Sequence, residues 1–141
     1  MVNSGNKLST DCVKTYEKLQ NGKGNLRYLV LGFTEDYSSI EVKHVGQETS
    51  TFQDMLNDLP KDRASYLFYD CQYTTNEGQQ RSKILFAIWS SDEDAPLKEK
   101  MLVSSSAKEV AVKCKGFAKK TEIHSWSELT EENFIKEVSR K

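Results

Sequence analysis

No stretch of this chain approaches the ~20 consecutive apolar residues that a membrane-spanning helix needs, so a transmembrane reading is excluded. Charge of one sign is also missing: 20 Lys+Arg against 21 Asp+Glu leave a formal net charge of -1. Without a global positive field, nucleic acid has nothing to steer it, and any charge-driven binding must be local. Proline occurs only as Pro60 and Pro96, and no segment repeats, so nothing marks an internal linker. The three cysteines, Cys12, Cys71 and Cys114, are odd in number and widely separated, which predicts reduced thiols buried as small hydrophobes rather than a disulfide framework. His44 and His124 are the only histidines and share no metal-ligand spacing with each other or with a cysteine. Catalytic signatures are absent as well: there is no Gly-x-Ser-x-Gly elbow, phosphate-binding Gly-x-x-x-x-Gly-Lys-Ser/Thr loop, His-Glu-x-x-His or Cys-x-x-Cys. Gly22-Lys23-Gly24 follows a helical pattern and reads as a turn, not a phosphate cradle. Met1 to Lys7 lacks an apolar h-region, so a cytosolic address is expected.

What is present suits one globular domain. At 141 residues, with 37% hydrophobic and 10% aromatic side chains, the chain is long and apolar enough to bury a core. The spacing predicts a helix after Ser9 or Thr10 with Cys12, Tyr16 and Leu19 inward. A buried strand over 26–33 and a second around 40–45 should form a hairpin. Thr51 caps a short helix that Pro60 stops, and two strong strands over 66–73 and 82–89 flank a turn at Asn76-Glu77-Gly78. A long helix is expected from Pro96 to Gly116, restarting or bending at a Ser106/Glu109 capping box. A strand near 119–124 and a last helix capped by Thr130, with Phe134, Ile135 and Val138 inward, complete the order. The prediction is an α/β (α+β) fold with about five strands in a mixed sheet between helices. Residues 1–8 are expected as a tail and 9–141 as the domain.

One surface pattern needs more than stability to explain it. Leu97-Lys98-Glu99-Lys100-Met101-Leu102 puts two cations at the front of a helix, where each opposes the macrodipole by roughly 0.3–1 kcal/mol. The expectation is an amphipathic wedge for a protein groove, its two ammonium groups presented outward.

At this stretch the sequence resembles a known family. Asp94-Ala95-Pro96-Leu97-Lys98-Glu99-Lys100-Met101, followed by Ser104-Ser105-Ser106, is similar to the signature helix of the ADF/cofilin family of actin-binding proteins. Ser4-Gly5, Arg27-Tyr28, Leu59-Pro60, Tyr69-Asp70, Glu77-Gly78, Arg81-Ser82-Lys83-Ile84 and Trp89-Ser90 follow the family's order, so the likeness covers essentially the whole chain. It implies an actin-depolymerising-factor homology domain with a five-stranded mixed sheet and helices on both faces. It implies no enzyme activity and no cofactor, but a protein that binds monomeric and filamentous, ADP-bound actin, severs filaments and speeds subunit loss. A coactosin-like or glia-maturation-factor-like relative, which binds filaments or branch junctions with little severing, is the alternative.

Carried over residue by residue, the resemblance implies a monomer-binding face of Ser4, Gly5, Lys98, Lys100, Met101, Ser105 and Ser106. A filament-binding face would use Arg81, Lys83 and Arg140, the first two on alternate positions of one strand and so on one side. Ser4 is implied as a regulatory phosphorylation site, and phosphoinositide headgroups as ligands of the basic clusters. The implied protein is a cytoplasmic, cytoskeleton-associated monomer with no nucleic-acid partner. Glu99 departs from the small neutral residue usual between the two lysines.

Overall fold

The computed structural model describes residues 7–21, 25–60 and 62–139. Among them are six strands and four α-helices, in the order β1 (Lys7–Leu8), α1 (Thr10–Asn21), β2 (Leu26–Phe33), β3 (Ser39–Gln47), α2 (Phe52–Asp58), β4 (Ser65–Thr74), β5 (Gln80–Trp89), α3 (Leu97–Lys113), β6 (Lys119–Ile123) and α4 (Glu131–Ser139). A single 3-10 turn, Trp126–Glu128, links β6 to α4. The strands form one sheet in the order β1-β3-β2-β4-β5-β6, parallel at its two outer pairings and antiparallel between.

The expected mixed sheet of five long strands is there, with one addition. Lys7 and Leu8, assigned to a tail on their polarity, pair with Ser39 and Ile40, and Leu8 is buried. Two residues are too few for a hydrophobic period to register, so the sequence does not show that they belong to the sheet.

β2, β4 and β5 are apolar on successive positions because both sheet faces are covered. Phe33, Tyr66, Phe68, Phe86 and Ile88 pack under Cys12, Tyr16 and Leu19 of α1 and Val103, Ala107 and Val110 of α3. On the opposite face Val30, Leu67, Tyr69, Leu85 and Trp89 pack under Phe52 and Met55 of α2 and Phe134 and Val138 of α4. The helices thus alternate sides along the chain, and the strands between them form the floor of two cores. All three cysteines are free and buried, and burial pushes the Cys71 and Cys114 thiols up to about 12.

Local signals account for most element ends. Thr51 accepts from the Asp54 amide while the Asp54 carboxylate accepts from the Thr51 amide, a reciprocal cap for α2. Thr130 Oγ1 accepts from the Asn133 amide at 3.1 Å at the start of α4. Gly78, at φ 85°, supplies the left-handed residue that turns β4 into β5. α3 differs from expectation at two points. Pro96 is extended (ψ 146°) and is the residue before the helix, not its first turn. The helix is also unbroken through the serines: Ser106 is fully buried, and its hydroxyl meets that of Tyr66 instead of capping a new helix. The predicted turn at Gly22-Lys23-Gly24 lies outside the described residues.

β6 is the outer strand beyond β5, and its Lys119 and Lys120 are both exposed.

Candidate functional site

The first two turns of α3 stand on a buried anion. Glu99, the third residue of the helix, is fully buried, where an isolated carboxylate would be costly. Three groups from distant parts of the chain satisfy it. The Ala64 amide donates to Oε1 at 2.9 Å, the Tyr37 hydroxyl donates to Oε2 at 2.8 Å, and Arg63 donates from Nε to Oε2. The helix dipole favours an acid at this position too. Accepting from Tyr37 is easier for Glu99 while the phenol keeps its proton, so this hydrogen bond raises the Tyr37 pKa.

Tyr37 reaches Glu99 from a strained backbone. At φ 61° it occupies the left-handed region, uncommon for a bulky residue and costing on the order of 1–3 kcal/mol. The turn that holds it there is built on Asp36, whose Oδ1 accepts from the Thr34 hydroxyl at 2.8 Å, the Ser38 amide at 3.0 Å and the Ser38 hydroxyl at 2.7 Å. These donors, Ser38 foremost, depress the Asp36 carboxyl to about 2.

On this base α3 exposes an apolar pair. Leu97 and Met101, one turn apart, are 73% and 64% exposed, while Val103, Ala107 and Val110 turn inward to the core. The two lysines flank that pair, but neither ammonium projects freely, as the sequence had suggested. Lys98 is exposed with its Nζ 4.7 Å from the centre of the Tyr37 ring, a cation–π contact worth about 0.5–1 kcal/mol at such a site. Lys100 Nζ donates to the Asp92 carbonyl at 2.6 Å, tying the helix to the acidic loop before it. A carboxylate brought up by a partner could exchange for either contact, since each occupies a single face or a single proton of the ammonium.

The remaining predicted residues divide sharply. Ser105 is exposed, its hydroxyl turned back to the Leu102 carbonyl. Ser106 is buried and supports the face from beneath, so the structure removes it from the contact surface. Ser4, Gly5 and Arg140 lie outside the described residues. Arg81 and Lys83 do share one side of β5, at the opposite end of the strand from Trp89 and the loop that leads into the start of α3. They border a broad groove of about 690 Å³ with Tyr73, Ile135 and Ser139. Lys83 Nζ lies 3.4 Å from the Val138 carbonyl of α4, and Arg81 donates to Gln79 Oε1 at 2.7 Å. Eight residues of strand, ~26 Å, separate Arg81 from Trp89, so the two basic groups are separate surfaces on one rigid sheet.

Tyr37 and Arg63 escaped the sequence reading, and Glu99 was read only as a departure. Contacts spanning 35 to 62 residues leave no local period. The one readable signal was an acid three residues after Pro96, the position a helix start favours. Among the described residues, no group of three or more His, Cys, Asp or Glu could hold a metal ion, and no helix is long and apolar enough to cross a membrane.

Residues 5–139 match the family described as cofilin/tropomyosin-type actin-binding protein. The chain is similar to the cofilin of Schizosaccharomyces pombe, with 33% identity over 138 residues that cover 98% of each chain. Actophorin of Acanthamoeba castellanii is 30% identical over 129 residues, covering 92% of this chain and 91% of its own. The crystal structure of Streptomyces griseoflavus cofilin superposes with a TM-score of 0.86 at 29% identity, covering 96% of this chain and 98% of that one.

Proposed function

This chain belongs to the cofilin/tropomyosin-type family of actin-binding proteins, and from that premise we propose that it binds actin monomers and filaments, severs filaments and promotes their depolymerisation and turnover. The family binds actin and is not a family of enzymes. The observation that carries the proposal is the exposed Leu97–Met101 pair on α3, flanked by Lys98 and Lys100 and set rigidly by Glu99. Monomeric soluble proteins rarely leave adjacent large apolar side chains so open without a use for them. In this reading α3 inserts its apolar edge into a cleft on actin, Lys98 and Lys100 release their internal contacts for acidic groups there, and Met101 and Ser105 line the contact.

Arg81 and Lys83, with Arg140 near the chain end, form the second contact that only a filament offers. A protein that holds two subunits at once binds one filament twist better than another, and so shifts the filament toward that twist. Twisted and untwisted stretches then meet at mechanically weak boundaries. ADP-bound actin is the proposed form, in a cytoplasmic, cytoskeletal setting. Phosphoinositide headgroups would compete for the same basic groups. A phosphate on Ser4, adding about -1.5 to -2 charges beside Gly5 in the docking tail, would oppose binding.

The test mixes the protein with fluorescent actin filaments, follows breaks by time-resolved imaging and measures pelleted and soluble actin. Breaks together with a rise in soluble actin support the proposal. Co-pelleting with neither would assign the chain to the filament- or branch-binding, weakly severing relatives, and no co-pelleting would overturn both readings.

A further inference from the structure

Lys98 is an exposed cation that makes no ion pair among the described residues. The acids on either side of its contact are already engaged. Glu99, next in the chain, takes the Ala64 amide, the Tyr37 hydroxyl and Arg63, while Asp36 takes three donors from Thr34 and Ser38. The ammonium settles instead against the Tyr37 ring, 4.7 Å from its centre.

The ring is the fixed member of this pair. Its hydroxyl is tied to Glu99 at 2.8 Å, Phe33 packs beside it with ring centres 6.1 Å apart and planes at 63°, and the Arg63 guanidinium carbon lies 5.7 Å from its centre. The turn that carries it is closed by the Tyr37 amide donating to the Thr34 carbonyl at 3.0 Å and the Thr34 amide donating to the Ser39 carbonyl at 2.9 Å. Lys98, a flexible four-carbon stem with a single contact, is the member that moves. The backbone points the same way. At φ 61° an asparagine would sit with less strain than a tyrosine, so the turn by itself does not call for an aromatic ring. What tyrosine adds here is a hydroxyl for Glu99 and a π face for Lys98.

We propose that Tyr37 sets the affinity for actin monomers by competing with actin for Lys98. The ring holds the ammonium against the protein's own surface, and an acidic group of actin has to displace it. A charge-assisted bond to a carboxylate is stronger than a ring contact at an exposed site, so the exchange runs toward actin with a reduced net gain. Tyr37 is thus a positioning residue that acts through Lys98 and needs no contact of its own with actin. This inference rests on the reading of α3 as the monomer-binding face.

The experiment titrates fluorescent ADP-actin monomers with the full chain and its variants. Tyr37→Asn, which suits the left-handed turn but removes the ring, should tighten binding about two- to fivefold. Tyr37→Phe, which returns a ring beneath the ammonium, should bring the affinity back to that of the wild type. Lys98→Met should weaken binding, and adding Tyr37→Asn to it should change nothing further, because the effect passes through Lys98. A second readout is spectroscopic. In the isotope-labelled chain the Lys98 ε-methylene resonances should be shifted upfield by the ring, and should lose that shift both in Tyr37→Asn and in the wild type saturated with actin monomers. Weaker or unchanged binding by Tyr37→Asn, the same tightening on the Lys98→Met background, or an upfield shift that survives actin binding would each overturn the inference. Those results leave α3 as the monomer face so long as Lys98→Met binds more weakly than the wild type. Wild-type affinity in Lys98→Met, or no monomer binding at all, would overturn both readings together.

Discussion

Glu99 places a carboxylate where water cannot reach it, and its worth is best judged by removing its partner. Arg63→Met would leave that charge buried with only two neutral donors, at a cost of about 3–5 kcal/mol, read as a lower urea midpoint with an unchanged slope. Lys98→Ala should behave in the opposite way. Its cation–π contact is exposed, so stability should move by less than about 1 kcal/mol while affinity for actin monomers falls. An unfolding curve beside a monomer-binding titration distinguishes the two variants. Asp36 adds a pH test. Its carboxyl is depressed from 3.8 to about 2, so its contribution is complete above the unfolded value and is lost as pH falls through the folded one. Between about pH 4 and pH 2 the turn that holds Tyr37 should loosen, seen as shifts at Ser38 and Tyr37, and Asp36→Asn should abolish that transition.

At the scale of elements, the two faces make separate predictions. Changing Lys98 and Lys100 together to Ala should impair monomer and filament binding, whereas changing Arg81 and Lys83 to Ala should impair co-pelleting with filaments alone. Equal losses in both assays for both pairs would contradict the division. Much of this layout was legible in the sequence because β4 and β5 are long apolar runs, and because Thr51, Thr130 and Gly78 use local chemistry at element ends. The α3 stripe was legible for the same reason: Leu97 and Met101 lie four apart. What stayed hidden depends on tertiary contact. Ser106 looks like a cap in sequence, and only Tyr66 across the interface makes it a core residue. The partners of Lys98 and Lys100, a ring from the β2–β3 turn and a carbonyl from the preceding loop, are equally unreadable from the helix itself.

For the molecule as a whole, two cores share one sheet, so neither can open without the other losing its floor. The three thiols report on this. Cys12 and Cys114 belong to one core and Cys71 to the other, and all are held protonated by burial. In the native protein they should resist a thiol reagent, then react together at a rate set by global unfolding. Early labelling of Cys71 alone would mean that the α2/α4 layer detaches independently. The free rim of the sheet has a consequence of its own. Among the described residues β6 pairs with β5 alone; a strand open on its outer side invites another copy to add on, and the adjacent ammonium groups of Lys119 and Lys120 make that approach repulsive. These two side chains act as an electrostatic bumper, keeping a protein whose proposed work is to take polymers apart from growing into one itself.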